Sequence, residues 1–106
     1  MRTMMPTPLR TPLPADRSKA QAAREPLYRV IVLNDDRTPM DFVVHVLLTI
    51  FLIPDPNAEY IMYTAHLQGR AYVQTLPRPE AHRRIGRACF AARLRGYPLQ
   101  FSMEPE

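Results

Sequence analysis

Between Val32 and Val44 the chain reads Val-Leu-Asn-Asp-Asp-Arg-Thr-Pro-Met-Asp-Phe-Val-Val, and this run leaves the backbone few choices. An apolar, β-branched stretch stops at three acceptor-rich residues, Asn34, Asp35 and Asp36, and a helix signal begins at once. Thr38 suits an N-cap, Pro39 suits the first helical position, and Asp41 stands where a capping-box acid belongs. A rigid strand-to-helix corner is expected, with two carboxylates and an amide beside the apolar Met40. Such a corner can hold a cationic hydrogen-bond donor that carries an apolar attachment. The ammonium and side chain of an N-terminal amino acid are such a ligand.

The rest of the chain can be placed around that corner. Tyr28 to Leu33 is rich in Val and Ile and reads as a strand. The helix after the corner is expected from Pro39 to about Leu52, with Asp41, His45 and Thr49 as a narrow solvent stripe. Pro54-Asp55-Pro56 breaks it. Asp55 can cap a second helix with Pro56 at its first position, and Gly69 ends that helix. Ala71 to Thr75 reads as a second strand. Pro79 opens a third helix with Ala81, Ile85, Ala88, Cys89 and Ala92 as its buried stripe and Gly96 beyond its end. Leu99 to Met103 makes the last strand. The order βααβαβ predicts an α/β chain of the α+β kind, a small sheet covered by helices.

Composition bounds the domain. Residues 1 to 26 hold five of the twelve prolines, no aromatic residue, and five basic against two acidic side chains. Such a segment buries too little apolar surface to offset its ordering entropy, so it is expected to be a disordered arm before a core at residues 27 to 106. Its Arg content hints at a targeting remnant, but its spaced prolines would spoil an amphipathic helix, and no run before residue 27 resembles a signal peptide. The apolar block from Phe42 to Ile53 is interrupted by His45 and Thr49 and is too short to span a bilayer. A lone Cys89 leaves no internal disulfide and no cysteine metal cluster, which fits a reducing cytosol. The net charge of +4 is unevenly divided. Residues 27 to 77 have three Arg against five acids, whereas residues 78 to 95 have six Arg against Glu80. That division favours a cationic ligand at the corner and an acidic partner at the third helix.

The run Leu33-Asn34-Asp35-Asp36-Arg37-Thr38-Pro39-Met40-Asp41-Phe42-Val43 resembles the signature of the ClpS family, adaptors that recognise N-end-rule substrates for the Clp protease. Further similarities follow in order: Met62 to His66 with Gly69, the strand from Arg70 to Thr75, and Tyr97-Pro98-Leu99. The resemblance spans residues 27 to 104. It implies a three-stranded antiparallel sheet with three helices, and no enzymatic activity or cofactor. By the same resemblance Asn34, Asp35, Asp36, Thr38 and His66 would bind the amino group of an N-degron, His66 through a neutral ring with a free lone pair. Met40, Val43, Met62, Ala65 and Leu99 would line the pocket for the first side chain, Leu, Phe, Tyr or Trp. The implied partners are such proteins and peptides and a ClpA-like AAA+ unfoldase. The implied location is the bacterial cytoplasm, or a plastid if the arm is a targeting remnant.

Two departures from the family pattern stand out. The Ala-Glu-Thr-Lys-like run that meets the unfoldase becomes Ala81 followed by His82, Arg83 and Arg84, and Pro79 replaces a frequent acid; the resemblance puts unfoldase docking at Pro79, His82 and Arg84, and these departures make it support docking less than degron binding. Ala65 stands where many members carry a larger apolar residue. Rival chemistries find less support. Asp35, Asp36 and His66 lack a second histidine spaced to complete a metal site. His82 and Cys89 fall on different sides of one helix, without an orienting third residue. The Arg-rich third helix lacks aromatic interleaving beyond Phe90 and any glycine-rich phosphate loop, which argues against nucleic acid. A ClpS-like regulator without delivery is the closer alternative.

Overall fold

The computed structural model describes residues 25 to 106, so the expected arm lies almost wholly outside the described residues. The order is β1 (Leu27–Leu33), α1 (Met40–Thr49), α2 (Asp55–Gln68), β2 (Arg70–Pro77), α3 (Arg78–Leu94) and β3 (Gln100–Pro105). The strands form one antiparallel sheet in the order β2-β1-β3. Leu33 pairs with Arg70 on one side and Gln100 on the other, and the β1–β2 ladder shifts by a bulge between Val30 and Ile31. Fold class and element order are as the sequence predicts. The strands run longer, because β2 continues to Pro77 and β3 to Pro105.

All three helices begin on a proline that precedes the first helical residue, in place of the caps Thr38 and Asp55 expected for the first two and of Pro79 expected to open the third. Pro39, Pro54 and Pro77 occupy the N-cap positions with φ of −61°, −59° and −56°, and no side chain caps any of the three. The proline ring fixes φ near −65° and leaves ψ free to be extended, so it fits the cap position as well as the first turn. Pro56 and Pro79 follow inside the first turns of α2 and α3. Thr38 is released from capping and turns its hydroxyl toward Asp35 instead.

The end of α1 also differs from expectation. Apolar residues continue to Ile53, so periodicity carries the helix to Leu52, yet it stops at Thr49. The N–H of Ile53 reaches back to the carbonyl of Leu47 at 3.0 Å, and Leu52 takes φ of 58° to allow it. That is a left-handed helix stop, a position that normally favours glycine. Sequence periodicity cannot register a stop made by a residue of the wrong type.

The stop drives Phe51 inward, where it is fully buried with Leu47, Val46, Val30 and Val32. Each large side chain buried this way contributes about 1.5–3 kcal/mol. Val30 and Val32 of β1, with Ala71 and Val73 of β2, meet α1 and the small residues Ala81, Ala88 and Ala92 of α3. The alanines let α3 lie close to the sheet. Arg84 joins three elements: it donates to Glu80 at 2.6 Å, to the Gln74 side-chain oxygen at 3.2 Å and to the Phe51 carbonyl at 3.4 Å. The Gln74 amide donates to that same carbonyl at 3.2 Å. On the other face of the sheet Arg70 pairs with Glu104, and Arg29 lies 5.1 Å over the Tyr72 ring.

Leu52 is 68% exposed, so replacing it removes little burial while relieving its left-handed backbone. Leu52→Gly should raise the stability by about 1 kcal/mol, read as a higher urea midpoint at unchanged slope.

Candidate functional site

The corner after β1 is organised by one carboxylate. Asp35 Oδ1 accepts the backbone N–H of Arg37 at 2.8 Å and of Thr38 at 2.7 Å, and Oδ2 accepts the Thr38 hydroxyl at 2.8 Å. A carboxylate offers about four acceptor sites, so the turn takes three and leaves about one. Partial burial pushes the Asp35 carboxyl up, but the N–H and hydroxyl of Thr38, then the N–H and charge of Arg37, together hold it below its ordinary value. The corner is fastened to the far side of the site as well. The Asn34 N–H donates to the Gly69 carbonyl at 2.9 Å. Gly69 ends α2 with φ of 92° and returns its own N–H to Ala65. Left-handed backbone at that point lets the chain turn from α2 directly into β2.

A small cavity opens between these elements. Asn34, Asp35, Thr38 and His66 supply its polar lining, and Met40, Val43, Met62, Ala65 and Leu99 its apolar lining. Four separate segments thus converge: the corner, the first turns of α1, the last turns of α2, and the residue before β3. Met62, Ala65 and Leu99 are buried, whereas Met40 is 40% exposed at the mouth. His66 is exposed in the last turn of α2. The residue types divide as a ligand with a charged head and an apolar side chain would require.

Asp36 does not join them. Its side chain is exposed and outside the cavity lining, and it makes no hydrogen bond among the described residues. Two lining residues were missed by sequence reasoning, Val32 and Leu33. As members of a strand they read as core or sheet surface, and no local signal distinguishes a strand end that closes a pocket. Pro79 and His82 are exposed at the start of α3, but Arg84 is mostly covered and bound inward. Cys89 is half-buried beside the site: its thiol meets the Leu99 carbonyl at 3.7 Å, and burial pushes it up. A second cleft lies across α1, lined by Asp41, Phe42, His45, Arg95 and Tyr97. The Phe42 ring there meets Tyr97 edge-on at 5.0 Å and carries the Arg95 guanidinium at 5.7 Å.

A three-stranded α+β domain with a half-polar, half-apolar cavity at one end of its sheet is the architecture of a small binding module. The family described as ATP-dependent Clp protease adaptor protein ClpS matches residues 23–102, and the chain belongs to that family of adaptors. It is 42% identical to the Clp protease adapter protein ClpS 2 of Mesorhizobium japonicum over 96 residues, covering 91% of this chain and 95% of the relative. It is 40% identical to ClpS 1 of Bradyrhizobium diazoefficiens over 93 residues, 88% of this chain and 92% of that one. Among solved structures, Agrobacterium tumefaciens ClpS2 bound to L-phenylalaninamide is similar with a TM-score of 0.75 and 38% identity, covering 78% of this chain and all of the other. Among the described residues no helix is long and apolar enough to cross a membrane.

The lowered carboxyls make acid stability predictable. Asp35 is held below an ordinary value of 3.8, and Glu80, through hydrogen bonds from Arg84 and Arg83 that outweigh its partial burial, below 4.5. A carboxylate depressed in the folded state stabilises the fold above its unfolded value and loses that contribution as pH falls through the folded one. The melting temperature should therefore fall on acidification below these ordinary values, and Glu80→Gln should remove part of that fall.

Proposed function

We propose that this chain captures proteins bearing Leu, Phe, Tyr or Trp at their N-termini and delivers them to a ClpA-like Clp AAA+ unfoldase, in the cytoplasm and without catalysis of its own. The observation that carries this reading is the division of the cavity. Asn34, Asp35 and His66 offer acceptors at one side, and Met40, Met62 and Leu99 offer apolar surface beside them. An ammonium needs the first set and a large side chain needs the second. Burying one such side chain supplies about 1.5–3 kcal/mol, and each charge-assisted hydrogen bond adds roughly 1.5–3 kcal/mol before ordering costs. Together they support micromolar or tighter binding. The flexible thioethers of Met40 and Met62 can repack around side chains of different shape.

Fluorescence anisotropy with a Phe-initiated peptide and its N-acetylated twin tests the reading. Only the free amine should bind; equal affinity for the two would sink it. Asp35→Ala should weaken binding by roughly 1–3 kcal/mol, and more if the turn that Asp35 organises loosens with it. A degradation assay with the unfoldase separates delivery from the second reading, a ClpS-like module that sequesters or regulates. The departures at Pro79 and His82 are what favour that second reading.

Ala65 is buried in the cavity wall, and a Val there would fill roughly two methyl groups, each CH₂-sized gap costing a small ligand about 0.8 kcal/mol. Large aromatics should grow into that space while Leu leaves it empty. Ala65→Val should then raise Leu relative to Trp in a competition series of Leu, Phe, Tyr and Trp peptides. An unchanged ratio would mean that this wall does not shape the pocket.

A further inference from the structure

Thr38 grips both oxygens of one carboxylate. Its backbone N–H donates to Asp35 Oδ1 at 2.7 Å and its hydroxyl to Oδ2 at 2.8 Å. Arg37 adds a second N–H to Oδ1 at 2.8 Å, so among the described residues the Thr38 hydroxyl is the one donor on Oδ2. A carboxylate held at a single oxygen can still turn about its Cβ–Cγ bond, a broad and roughly two-fold torsion. Held at both oxygens, it cannot. The hydroxyl therefore decides where the remaining acceptor of Asp35 stands in the cavity that both residues line.

The same bond limits what Thr38 can do for a ligand. A hydroxyl has one proton to give, and Asp35 takes it. No side-chain donor is left for a ligand carbonyl. What the hydroxyl still offers an ammonium is a neutral oxygen beside a carboxylate, and the charged acceptor makes the stronger bond. The resemblance counts Thr38 among the groups that bind the amino group directly; its geometry commits it to Asp35.

We infer that Thr38 is a positioning residue: its hydroxyl holds the Asp35 carboxylate in the orientation that receives the substrate's ammonium, and it serves the ligand only through Asp35. The inference rests on the capture reading above and deepens it. Removing the hydroxyl has two opposing effects, since it frees a lone pair on Oδ2 and also lets the carboxylate turn. Water can take up the freed lone pair in this half-exposed corner. A misaligned hydrogen bond, by contrast, weakens steeply with angle, so the loss of orientation prevails.

The test titrates the full chain with a Phe-initiated peptide at neutral pH, where Asp35 is ionised in wild type and variant alike and affinity reports orientation. Thr38→Val keeps the side chain's shape and the backbone N–H, and should weaken binding roughly tenfold. Thr38→Ser keeps the hydroxyl and should restore most of that loss. In an Asp35→Ala background Thr38→Val should cost nothing further, because nothing is left to position. Unchanged affinity in Thr38→Val, or an equal loss with and without Asp35, overturns the inference while capture stands. A wild type that does not bind the free amine overturns capture and the inference together. Carbon NMR titration of the Asp35 carboxyl in the free protein gives a second readout. Burial pushes this carboxyl up, and the Thr38 N–H and hydroxyl pull it down, so Thr38→Val should raise its midpoint and Thr38→Ser should not. Arg37 and Asp36 on the corner, Asp41 in the first turn of α1 and His66 on α2 are the charged or titratable groups around it, and all of them stay in both variants. A midpoint unmoved by Thr38→Val overturns the inference as well.

Discussion

The grip of the Asp35 carboxylate on the turn that follows it sets up nearly everything else in this domain. By accepting the N–H groups of Arg37 and Thr38 and the Thr38 hydroxyl, it fixes the angle at which β1 gives way to α1. A helix launched at that angle places Met40 and Val43 against the end of α2. The adjacent Asn34 N–H holds Gly69, so the corner and the α2–β2 turn cannot drift apart. One short polar segment thus serves both fold and site. The same bonds that hold the corner also favour the ionised carboxylate.

A second set of contacts supports the opposite end. The left-handed stop at Leu52 turns Phe51 into the core and exposes its carbonyl to Arg84 and Gln74. A surface arginine on α3 thereby becomes a brace joining three elements, with Glu80 balancing its charge. The cost of a non-glycine residue at the stop is set against the burial of a whole phenyl ring, a larger quantity. The basic character of α3 is accordingly of two kinds: arginines spent on internal structure and arginines left facing solvent.

Separating these two kinds changes how the departures from the family pattern are read. His82 and Pro79 lie exposed at the start of α3, while the cation of the same run is occupied.

Much of the architecture was legible in the order of residues. Period and punctuation located all six elements, because hydrophobic alternation, Pro-rich breaks and Gly69 act over a few residues. The resemblance of residues 33 to 43 also singled out side chains that converge on one cavity. Tertiary structure decided what depends on contacts across the chain. It moved the first two helix starts from Thr38 and Asp55 onto Pro39 and Pro54, since a proline fits a cap position that local rules assign to polar side chains, and it began the third at Pro77 ahead of Pro79. It ended α1 early at a left-handed leucine that no propensity would place there. It closed the cavity with Val32 and Leu33, left Asp36 outside, and drew Arg84 inward to a carbonyl 33 positions away in sequence. A sequence specifies which groups can bond locally; which distant carbonyl or cavity wall they meet is settled only when the packed helices bring them within reach.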